Sequence, residues 1–412
     1  MKNFPLPARL AVPLNLRLGV LALAALTAST VHAQEGSATL LAQNLRAPSL
    51  ADVVVAATRT PQPLADLVAD VSIVDRETIE ASGATGLADV LARLPGVEIS
   101  RNGGPGTTTS VFLRGAESRF TAVYIDGVRI DSQSTGGAGW EAIPLSLIER
   151  IEVLRGPAGA VYGSDALGGV VQIFTRRGEA GVAPYVGVGV GSRGTYKMDA
   201  GISGANGTLD YALGIARDES DGFNARPIAG QNPDADGYRS TSGNARLGLQ
   251  INAAHRIEGT LLANDINSGY DNGLGKDDRN QHRLHALGLH WQAQWSANYK
   301  TRLSVTDGRD QYETSPSPYL TETKLRGYLL QNEWRYGAHQ FTAALERRED
   351  HLTNAPIDRS RSQDALALGY GYQAGAHTVQ LNARHDSDSE FGGKDTGSVS
   401  YGYTITPQWP AT

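Results

Sequence analysis

Acidic side chains form two clusters in the second half of the chain. The clusters contain Asp218, Glu219, Asp221, Asp234 and Asp236, and then Asp265, Asp271, Asp277 and Asp278. Calcium takes about six to eight oxygen ligands in irregular geometry, and carboxylates supply them. If the two segments face each other, they could hold such a hard cation. A pair of hydrated acidic loops is the alternative, and the residue types alone leave both open.

Two glycine-rich segments indicate a different chemistry. They are Asn102-Gly103-Gly104-Pro105-Gly106-Thr107 and Ser132-Gln133-Ser134-Thr135-Gly136-Gly137-Ala138-Gly139. Neither is followed by Gly-Lys-Ser/Thr, which argues against a phosphate-binding P-loop. Because glycine has no Cβ, a ligand can approach the backbone of such segments closely. Ordinary turns have the same composition, so the residues alone do not distinguish a ligand site from a turn.

The chain lacks the residue spacings of common catalytic centres. None of its nine histidines occurs in H-E-x-x-H, and G-x-S-x-G is absent. The densest group, His282, His285 and His290, is divided between the two faces of a strand by the period of two. The absence of cysteine excludes thiol nucleophiles, disulfides and Cys-ligated metals. The sequence therefore predicts that the protein is not an enzyme.

A short β-prone segment lies ahead of the first domain. It is Asp52-Val53-Val54-Val55-Ala56-Ala57-Thr58, and Arg59 and Pro61 follow it. Such a segment can add itself as a strand to the edge of a partner's sheet, where main-chain hydrogen bonds supply the affinity. The alternative is an ordinary first strand of the domain that follows.

The first 33 residues indicate export. Lys2, Arg9 and Arg17 precede an apolar run over 18–28 and an A-x-A-like site at 31–33. This order predicts a secretory signal peptide, because the apolar run is shorter than the roughly 20 residues of a membrane-spanning helix. The formal net charge of −6 argues against nucleic acid as a partner.

The elements that must position these residues differ between two parts of the chain. Over 52–178, helix and strand patterns are mixed: a short amphipathic helix over 85–94 ends at Pro95-Gly96, and strands are predicted over 110–114, 122–125 and 170–174. A small α+β domain of roughly 125 residues accounts for this mixture.

After residue 181 apolar and polar residues alternate strictly. The alternation is clear over 245–252 and 287–296, and it recurs about a dozen times in segments of about ten residues. Short turns separate these segments in alternation with polar stretches, which are predicted as long loops near 218–239, 268–281, 311–321, 352–360 and 387–395. Trp295, Tyr299 and Tyr336 lie beside short turns. Together these features are typical of an outer-membrane β-barrel.

Five motifs of the first domain resemble the plug of TonB-dependent outer-membrane receptors. They are LARLPGV (91–97), FLRG (112–115), VYIDGV (123–128), IERIEVLRGP (148–157) and AVYGSDALGGVV (160–171). Each motif is weak alone, but their order over about 120 residues is specific. Among these receptors the chain most resembles the cobalamin (corrinoid) transporters, and the similarity extends to SVSYGY at 398–403.

The resemblance implies an architecture and a location. It implies an α+β plug domain followed by an antiparallel transmembrane β-barrel, here with about 12 of an expected 22 strands. The implied boundaries are 1–33 for the signal peptide, 34–60 for a linker with the Ton box, 61–181 for the plug and 182–412 for a partial barrel. The segment over 52–58 would then be the Ton box, which binds TonB. The protein would act as a monomer in the lipid of a Gram-negative outer membrane.

The resemblance also implies site residues. The glycine-rich residues over 102–107 and 132–136 would contact the corrinoid, and calcium would bind at Asp221, Asp234, Asp236, Tyr270 and Asp271. One departure would weaken that cation site, since residue 224 is an asparagine where the resemblance implies an aspartate, although its amide can still supply an oxygen ligand. Plug residues Arg114, Arg155, Glu149 and Glu152 are expected to pair with opposite charges where the plug meets the barrel, as the arginines of related plugs pair with barrel glutamates.

The predicted function is therefore TonB-coupled uptake of cobalamin or a related corrinoid. A siderophore or haem receptor is the alternative within the same class, and a passive porin or structural outer-membrane protein is the alternative outside it. About twelve strands would close at a radius near 12 Å, too narrow for a plug whose equivalent sphere has a radius near 18 Å. The sequence stops after Gln408-Trp409-Pro410-Ala411-Thr412 without a terminal aromatic strand. We therefore expect a C-terminally truncated receptor.

Overall fold

The fold comes from a computed structural model that describes residues 53–54, 59, 62–64, 67–230, 232–273 and 275–404. The predicted signal peptide, most of the predicted Ton box (Asp52 and 55–58) and the last eight residues lie outside the described residues. No helix among the described residues is long and apolar enough to cross a membrane.

The first domain is built from short strands and three short helices. Its elements are β1 (Val53–Val54), β2 (Gln62–Pro63), β3 (Asp70–Asp75), α1 (Arg76–Ala81), α2 (Leu87–Leu91), β4 (Val97–Arg101), β5 (Thr109–Leu113), β6 (Thr121–Ile125), β7 (Val128–Ile130), β8 (Ile148–Arg155), α3 (Gly159–Tyr162) and β9 (Gly169–Thr175). The helix predicted over 85–94 is shorter than expected. The three strands predicted from the pattern correspond to β5, β6 and β9, and each observed boundary lies within one residue of the predicted one.

The core of this domain is a five-stranded sheet in the order β3-β8-β9-β6-β7, and β4 and β5 form a separate hairpin. Only β6 and β9 are parallel. The sheet is apolar on both faces, with Ile151 and Ile173 buried on one face and Leu154 and Val170 buried on the other, so both faces must be covered. The apolar cluster on the first of these faces includes Leu262 and Leu284 from the second domain. The first domain therefore packs directly against the wall that follows it.

The second domain is one antiparallel sheet of twelve strands in chain order. The strands are β10 (Gly181–Gly191), β11 (Thr195–Ala205), β12 (Leu209–Phe223), β13 (Asp236–Gln250), β14 (His255–Asp271), β15 (Asp277–Ser296), β16 (Tyr299–Ser315), β17 (Tyr319–Tyr336), β18 (His339–Asn354), β19 (Ile357–Ala374), β20 (His377–Asp388) and β21 (Gly392–Tyr403). Each strand pairs with its neighbour along the chain. Within the described residues, β10 and β21 are the two edges of the sheet.

The two faces of this sheet differ as the alternation predicts. On β13 the even positions Ser240, Asn244 and Arg246 are buried against the first domain, whereas Leu247 and Leu249 are exposed on the other face. Exposed aromatic side chains lie close to the short turns, where Tyr299 stacks on Trp334 at 5.0 Å between ring centroids. The predicted apolar band with aromatic residues at one end is thus present.

The loop lengths predicted for the other end of the sheet are mostly wrong. Of the five predicted long loops, only the first remains long, between Phe223 and Asp236. The others shorten to 272–276, 316–318, 355–356 and 389–391, because the strands continue through the polar stretches. β15 alone has 20 residues, about twice what a tilted strand needs to cross a bilayer. The hairpins therefore extend well beyond the apolar band.

Candidate functional site

The first glycine-rich segment connects β4 to β5 and lies against the wall. The Ser268 hydroxyl donates a hydrogen bond to the carbonyl of Gly106 at 2.8 Å. A Cβ at Gly106 would lie 3.0 Å from the side chain of Tyr238, and its φ of +89° favours glycine. Gly104 and Thr107 are buried, whereas Asn102 is exposed. The close approach of backbone to wall, rather than a ligand, accounts for the glycine at position 106.

The second glycine-rich segment follows β7 and folds back on itself. The amide of Ser132 donates to the carbonyl of Gly137 at 2.9 Å. The amide of Gln133 donates to the Thr323 hydroxyl at 3.0 Å, which joins the segment to β17. Ser132 is buried and Thr135 is exposed. Of the predicted ligand residues, Asn102 and Thr135 are therefore the exposed ones, and neither segment carries a charged side chain.

A buried histidine ties both segments to the wall. His282 on β15 is held between Glu141 of the first domain and Asp310 of β16, with 2.9 Å from each ring nitrogen to a carboxylate oxygen. The other oxygen of Glu141 accepts a hydrogen bond at 3.0 Å from the amide of Thr109, just after the first segment. A methyl group at Gly139, which ends the second segment, would overlap the His282 ring. Sequence reasoning assigned His282 no role, because its partners are distant in the chain.

The predicted calcium ligands lie at the outer ends of β12, β13 and β14, and the structure brings only some of them together. Asp236 and Asp271 have buried carboxylate oxygens without a hydrogen-bond partner among the described residues, and they interact electrostatically with each other and with Asp234. The Asp221 carboxylate lies elsewhere, against Gly194. Tyr270 interacts with Thr314 and Asp278.

Two observations bear on a cation at this place. Unpartnered buried carboxylate oxygens suit a hard cation. However, no three His, Asp or Glu side chains in the described part of the chain are arranged to hold a metal ion. The Asn224 amide is already used, since it donates to the carbonyl of Asn232 at 3.0 Å and its oxygen accepts from the amide of Arg226. A calcium site therefore stays a prediction.

At the opposite end of the first domain, wall arginines bind its aspartates. Arg246 on β13 is 2 % exposed and donates to Asp126 at 2.8 Å and to Glu258 at 2.6 Å. Arg348 on β18 donates to Asp165 at 2.7 Å. Burial alone would raise the pKa of Asp165, but Arg129 and Arg348 hold it at about 2. The Arg246–Asp126 pair is almost fully buried, whereas the Arg348–Asp165 pair is partly exposed, so losing one partner is most costly at Arg246.

The charge pairing predicted for Arg114, Arg155, Glu149 and Glu152 is wrong in its partners. Arg155 donates to Asp70 at 2.6 Å, and Arg114 pairs with the same carboxylate. Glu152 pairs with Arg150, and Glu149 with Arg176. All of these partners belong to the first domain. At Asp126 and Asp165 the polarity is the reverse of the expected one, because the wall supplies the arginines and the first domain supplies the carboxylates.

The segment after the predicted Ton box is also fastened to the wall. Within that box the structure describes Val53 and Val54, which pair with Gln62–Pro63. Arg59 forms an ion pair with Glu346 on β18, which also accepts from Arg384 at 2.8 Å. The Arg59 guanidinium lies 4.5 Å from the centroid of the Tyr162 ring. Arg59 is therefore in contact with both the first domain and the wall.

Comparison with known proteins identifies the first domain and then the chain. The family model described as the TonB-dependent receptor plug domain matches residues 63–170. The vitamin B12 transporter BtuB of Vibrio vulnificus is 32% identical over 372 residues, which are 86% of this chain and 60% of that protein. The chain belongs to the TonB-dependent receptor family. We call its first domain the plug and its twelve-stranded sheet the barrel wall.

Further relatives agree with this assignment. The vitamin B12 transporter BtuB of Photobacterium profundum is 30% identical over 367 residues, with the same coverage of each chain. Among solved structures, the alcaligin outer-membrane receptor FauA of Bordetella pertussis has a TM-score of 0.73 at 16% identity. The superposition covers 88% of this chain and 65% of the FauA chain. The siderophore receptor PirA of Acinetobacter baumannii has a TM-score of 0.69 at 18% identity, over 82% of this chain and 59% of its own.

These comparisons establish the fold and an outer-membrane location for this TonB-dependent receptor. The chain spans about 60% of the length of the curated relatives it matches. Its wall correspondingly has twelve strands within the described residues.

Proposed function

We propose that the chain serves TonB-coupled uptake of cobalamin or a related corrinoid across the outer membrane. The observation that carries this proposal is its similarity to vitamin B12 transporters over 86% of its length, through plug and wall alike. A similarity confined to the plug would support only membership of the TonB-dependent receptor family and would not indicate the ligand.

The chemistry of the plug surface supports the same class of ligand. The segments over 102–107 and 132–136 present backbone groups, amides and hydroxyls but no charge. Corrinoids carry mainly neutral amide side chains, which exchange hydrogen bonds with such groups. Many ferric siderophores are anionic and are better matched by cationic side chains. Asn102 and Thr135, the exposed members, are the residues proposed to contact the ligand.

A siderophore receptor is the second candidate, because the solved structures that share this fold include receptors for siderophores. Competition at the cell surface separates the two. The corrinoid proposal expects unlabelled cobinamide to displace labelled cyanocobalamin and ferric siderophores to leave it bound. The reverse pattern would favour the siderophore candidate.

Energy coupling is proposed to act through the segment over 52–58. Deleting these seven residues should abolish corrinoid uptake by cells and leave binding to their surface intact, because strand addition to TonB requires this segment. A matched control deletes seven residues over 40–46 in the same linker. Uptake that survives the 52–58 deletion would contradict energised transport and favour a passive channel.

Calcium is proposed as a structural ion of the outer hairpins, held by Asp236 and Asp271 with Asp234 nearby. It would neutralise carboxylates that otherwise repel one another. The expected result is that calcium slows proteolysis of the 224–235 loop in the wild-type protein and has no effect on D236N/D271N. If calcium protects both proteins equally, it does not bind at Asp236 and Asp271.

A further inference from the structure

Three histidines occupy the same place in three different hairpins of the barrel wall. His255, His339 and His377 are the first residues of β14, β18 and β20, and each directly follows a short turn. Along its strand each histidine shares a face with exposed apolar residues, as His255 does with Ile257 and Leu261. The three rings therefore lie on the outer face of the wall, the face turned away from the plug, at its short-turn end.

Two of these histidines are held by tyrosines. The Nδ1 atom of His339 lies 2.8 Å from the hydroxyl oxygen of Tyr370, and the Nδ1 atom of His377 lies 2.9 Å from that of Tyr401. Neither Nε2 atom has a hydrogen-bond partner in the part of the chain that the structure describes. Because a protonated imidazole donates from both nitrogens, Nδ1 can donate to the tyrosine oxygen while Nε2 donates to a group outside the protein.

The third histidine is held by tryptophans. The His255 ring stacks on Trp291 with 5.7 Å between ring centroids, and it meets Trp295 edge-on at 5.3 Å. Its ring nitrogens have no hydrogen-bond partner among the described residues. The face of an indole ring attracts cations, so this stack can accommodate a charged imidazole.

Within the described residues, no carboxylate lies on the outer face near these rings. The charged residues of the adjacent strand ends are Arg335, a cation, and Arg256, Lys300 and Glu333, which line the space between plug and wall. On β14 the first carboxylate of the outer face is that of Asp265, ten residues beyond His255 and roughly 33 Å away. The five short turns also contain no charged residue; they are 206–208, 251–254, 297–298, 337–338 and 375–376.

Histidines at the opposite end of the same face have a different environment. His351 pairs with Asp358 at 3.0 Å, and His385 pairs with Asp395 at 2.7 Å. A protonated ring there has its counterion within the protein. At the short-turn end, the titratable groups that face the rings are tyrosine hydroxyls, which are uncharged near neutral pH; they belong to Tyr336, Tyr370, Tyr372, Tyr401 and Tyr403. The counterion of a protonated ring at that end must therefore come from its surroundings.

We propose that His255, His339 and His377, when protonated, bind the phosphate groups of anionic phospholipids and form a histidine belt along the short-turn end of the wall. In outer-membrane barrels this end faces the periplasm, and its aromatic residues lie at the level of the lipid headgroups. Imidazole takes up its proton between about pH 5 and 8, whereas a lipid phosphodiester stays ionised over that range. The belt therefore binds anionic lipid more tightly as the pH falls, whichever ligand the receptor transports.

The test measures which lipid contacts the histidine belt of the full chain in phosphatidylcholine bilayers. Trp291, Trp295 and Trp334 lie at this end of the wall, so a brominated lipid bound there quenches their fluorescence. Quenching by brominated phosphatidylglycerol, compared with that by brominated phosphatidylcholine, gives the relative affinity for anionic lipid. In the wild type this ratio should be about fivefold higher at about pH 5.5 than at about pH 8, the effect of one basic group beside an anionic lipid. H255Q/H339Q/H377Q should lose this change.

Two further variants complete the test. The matched control is H351Q/H385Q, which removes the two carboxylate-paired histidines of the opposite end and should keep the pH dependence of the wild type. H255K/H339K/H377K guards against folding losses, because its charges persist at both pH values and it should prefer phosphatidylglycerol at both. The proposal is overturned if the wild-type ratio does not change with pH, if the triple glutamine variant keeps the change, or if the triple lysine variant shows no preference for phosphatidylglycerol at about pH 8.

Discussion

The two ends of the plug are attached to the barrel wall by different forces. At the glycine-rich end, the contacts are neutral and short: Ser268 to the Gly106 carbonyl, and the Gln133 amide to Thr323. At the end nearer the short turns, the contacts are ion pairs, Arg246 with Asp126 and Arg348 with Asp165. Breaking a neutral hydrogen bond costs little free energy, whereas separating the two charges of a desolvated ion pair costs much more.

This difference suggests how one interface can serve two purposes. The glycine-rich end can respond to a ligand, because a few neutral hydrogen bonds rearrange easily. The charged end resists separation of plug and wall more strongly, and the ion pair between Arg59 and Glu346 adds to that attachment. His282 is the exception, since it brings a charged cluster directly beneath the glycine-rich segments.

The strongest test of the comparison is to break the central ion pair. R246M leaves Asp126 and Glu258 buried without their common partner, and it should lower the free energy of unfolding by about 3–5 kcal/mol. Urea denaturation of the purified protein, followed by tryptophan fluorescence, measures the change. R217M, which removes an exposed arginine, is the control and should cost less than about 1 kcal/mol. Equal effects would show that the charged end is not the stronger attachment.

The next effect concerns shape at the glycine-rich end. G139A places a methyl group onto the His282 ring and 3.0 Å from an oxygen of Asp310, so it should destabilise the protein by about 1–3 kcal/mol. G259A is the control, since nothing lies within 4 Å of its Cβ position. If the two variants are equally stable in urea, His282 does not depend on the close approach of Gly139.

Acid should loosen the charged end selectively. The pKa of Asp165 is lowered from 3.8 to about 2, so the folded protein holds this carboxylate ionised where the unfolded chain does not. Its contribution, roughly 2 kcal/mol, is fully present above about pH 4 and is lost as the pH falls toward 2. In D165N this part of the acid dependence should disappear. An unchanged stability profile between pH 4 and 2 in D165N would contradict the assignment.

The smallest effect is expected from a neutral contact. S268A removes the hydrogen bond to the Gly106 carbonyl and should cost about 1 kcal/mol, well below the cost of R246M. Because that contact positions the first glycine-rich segment, S268A should also weaken ligand binding. S304A should not, because Ser304 lies at the charged end, where it hydrogen-bonds His290 beside Asp126. A cost equal to that of R246M would remove the distinction between the two ends.

The sequence predicted the fold more fully than the site, and the reasons are physical. Alternation identifies a strand only where its two faces differ in polarity. On β15 the residues over 277–283 are polar on both faces, so the pattern predicted a loop where the strand continues. Ion pairs across the interface depend on register and on contacts such as Arg246 with Asp126, 120 residues apart. No local pattern encodes those distances, and the family resemblance, which implies wall partners for Arg114 and Arg155, does not identify their actual partner Asp70.

Equilibrium binding of labelled cyanocobalamin most directly tests the central claim, that this TonB-dependent receptor takes a corrinoid. The measurement uses outer membranes from a Gram-negative host that has no corrinoid receptor of its own and produces this chain, with the same membranes lacking the chain as the blank. The account predicts saturable binding that unlabelled cobinamide displaces, that ferric siderophores do not displace, and that S268A weakens. The absence of saturable binding, or displacement by a ferric siderophore, would contradict it.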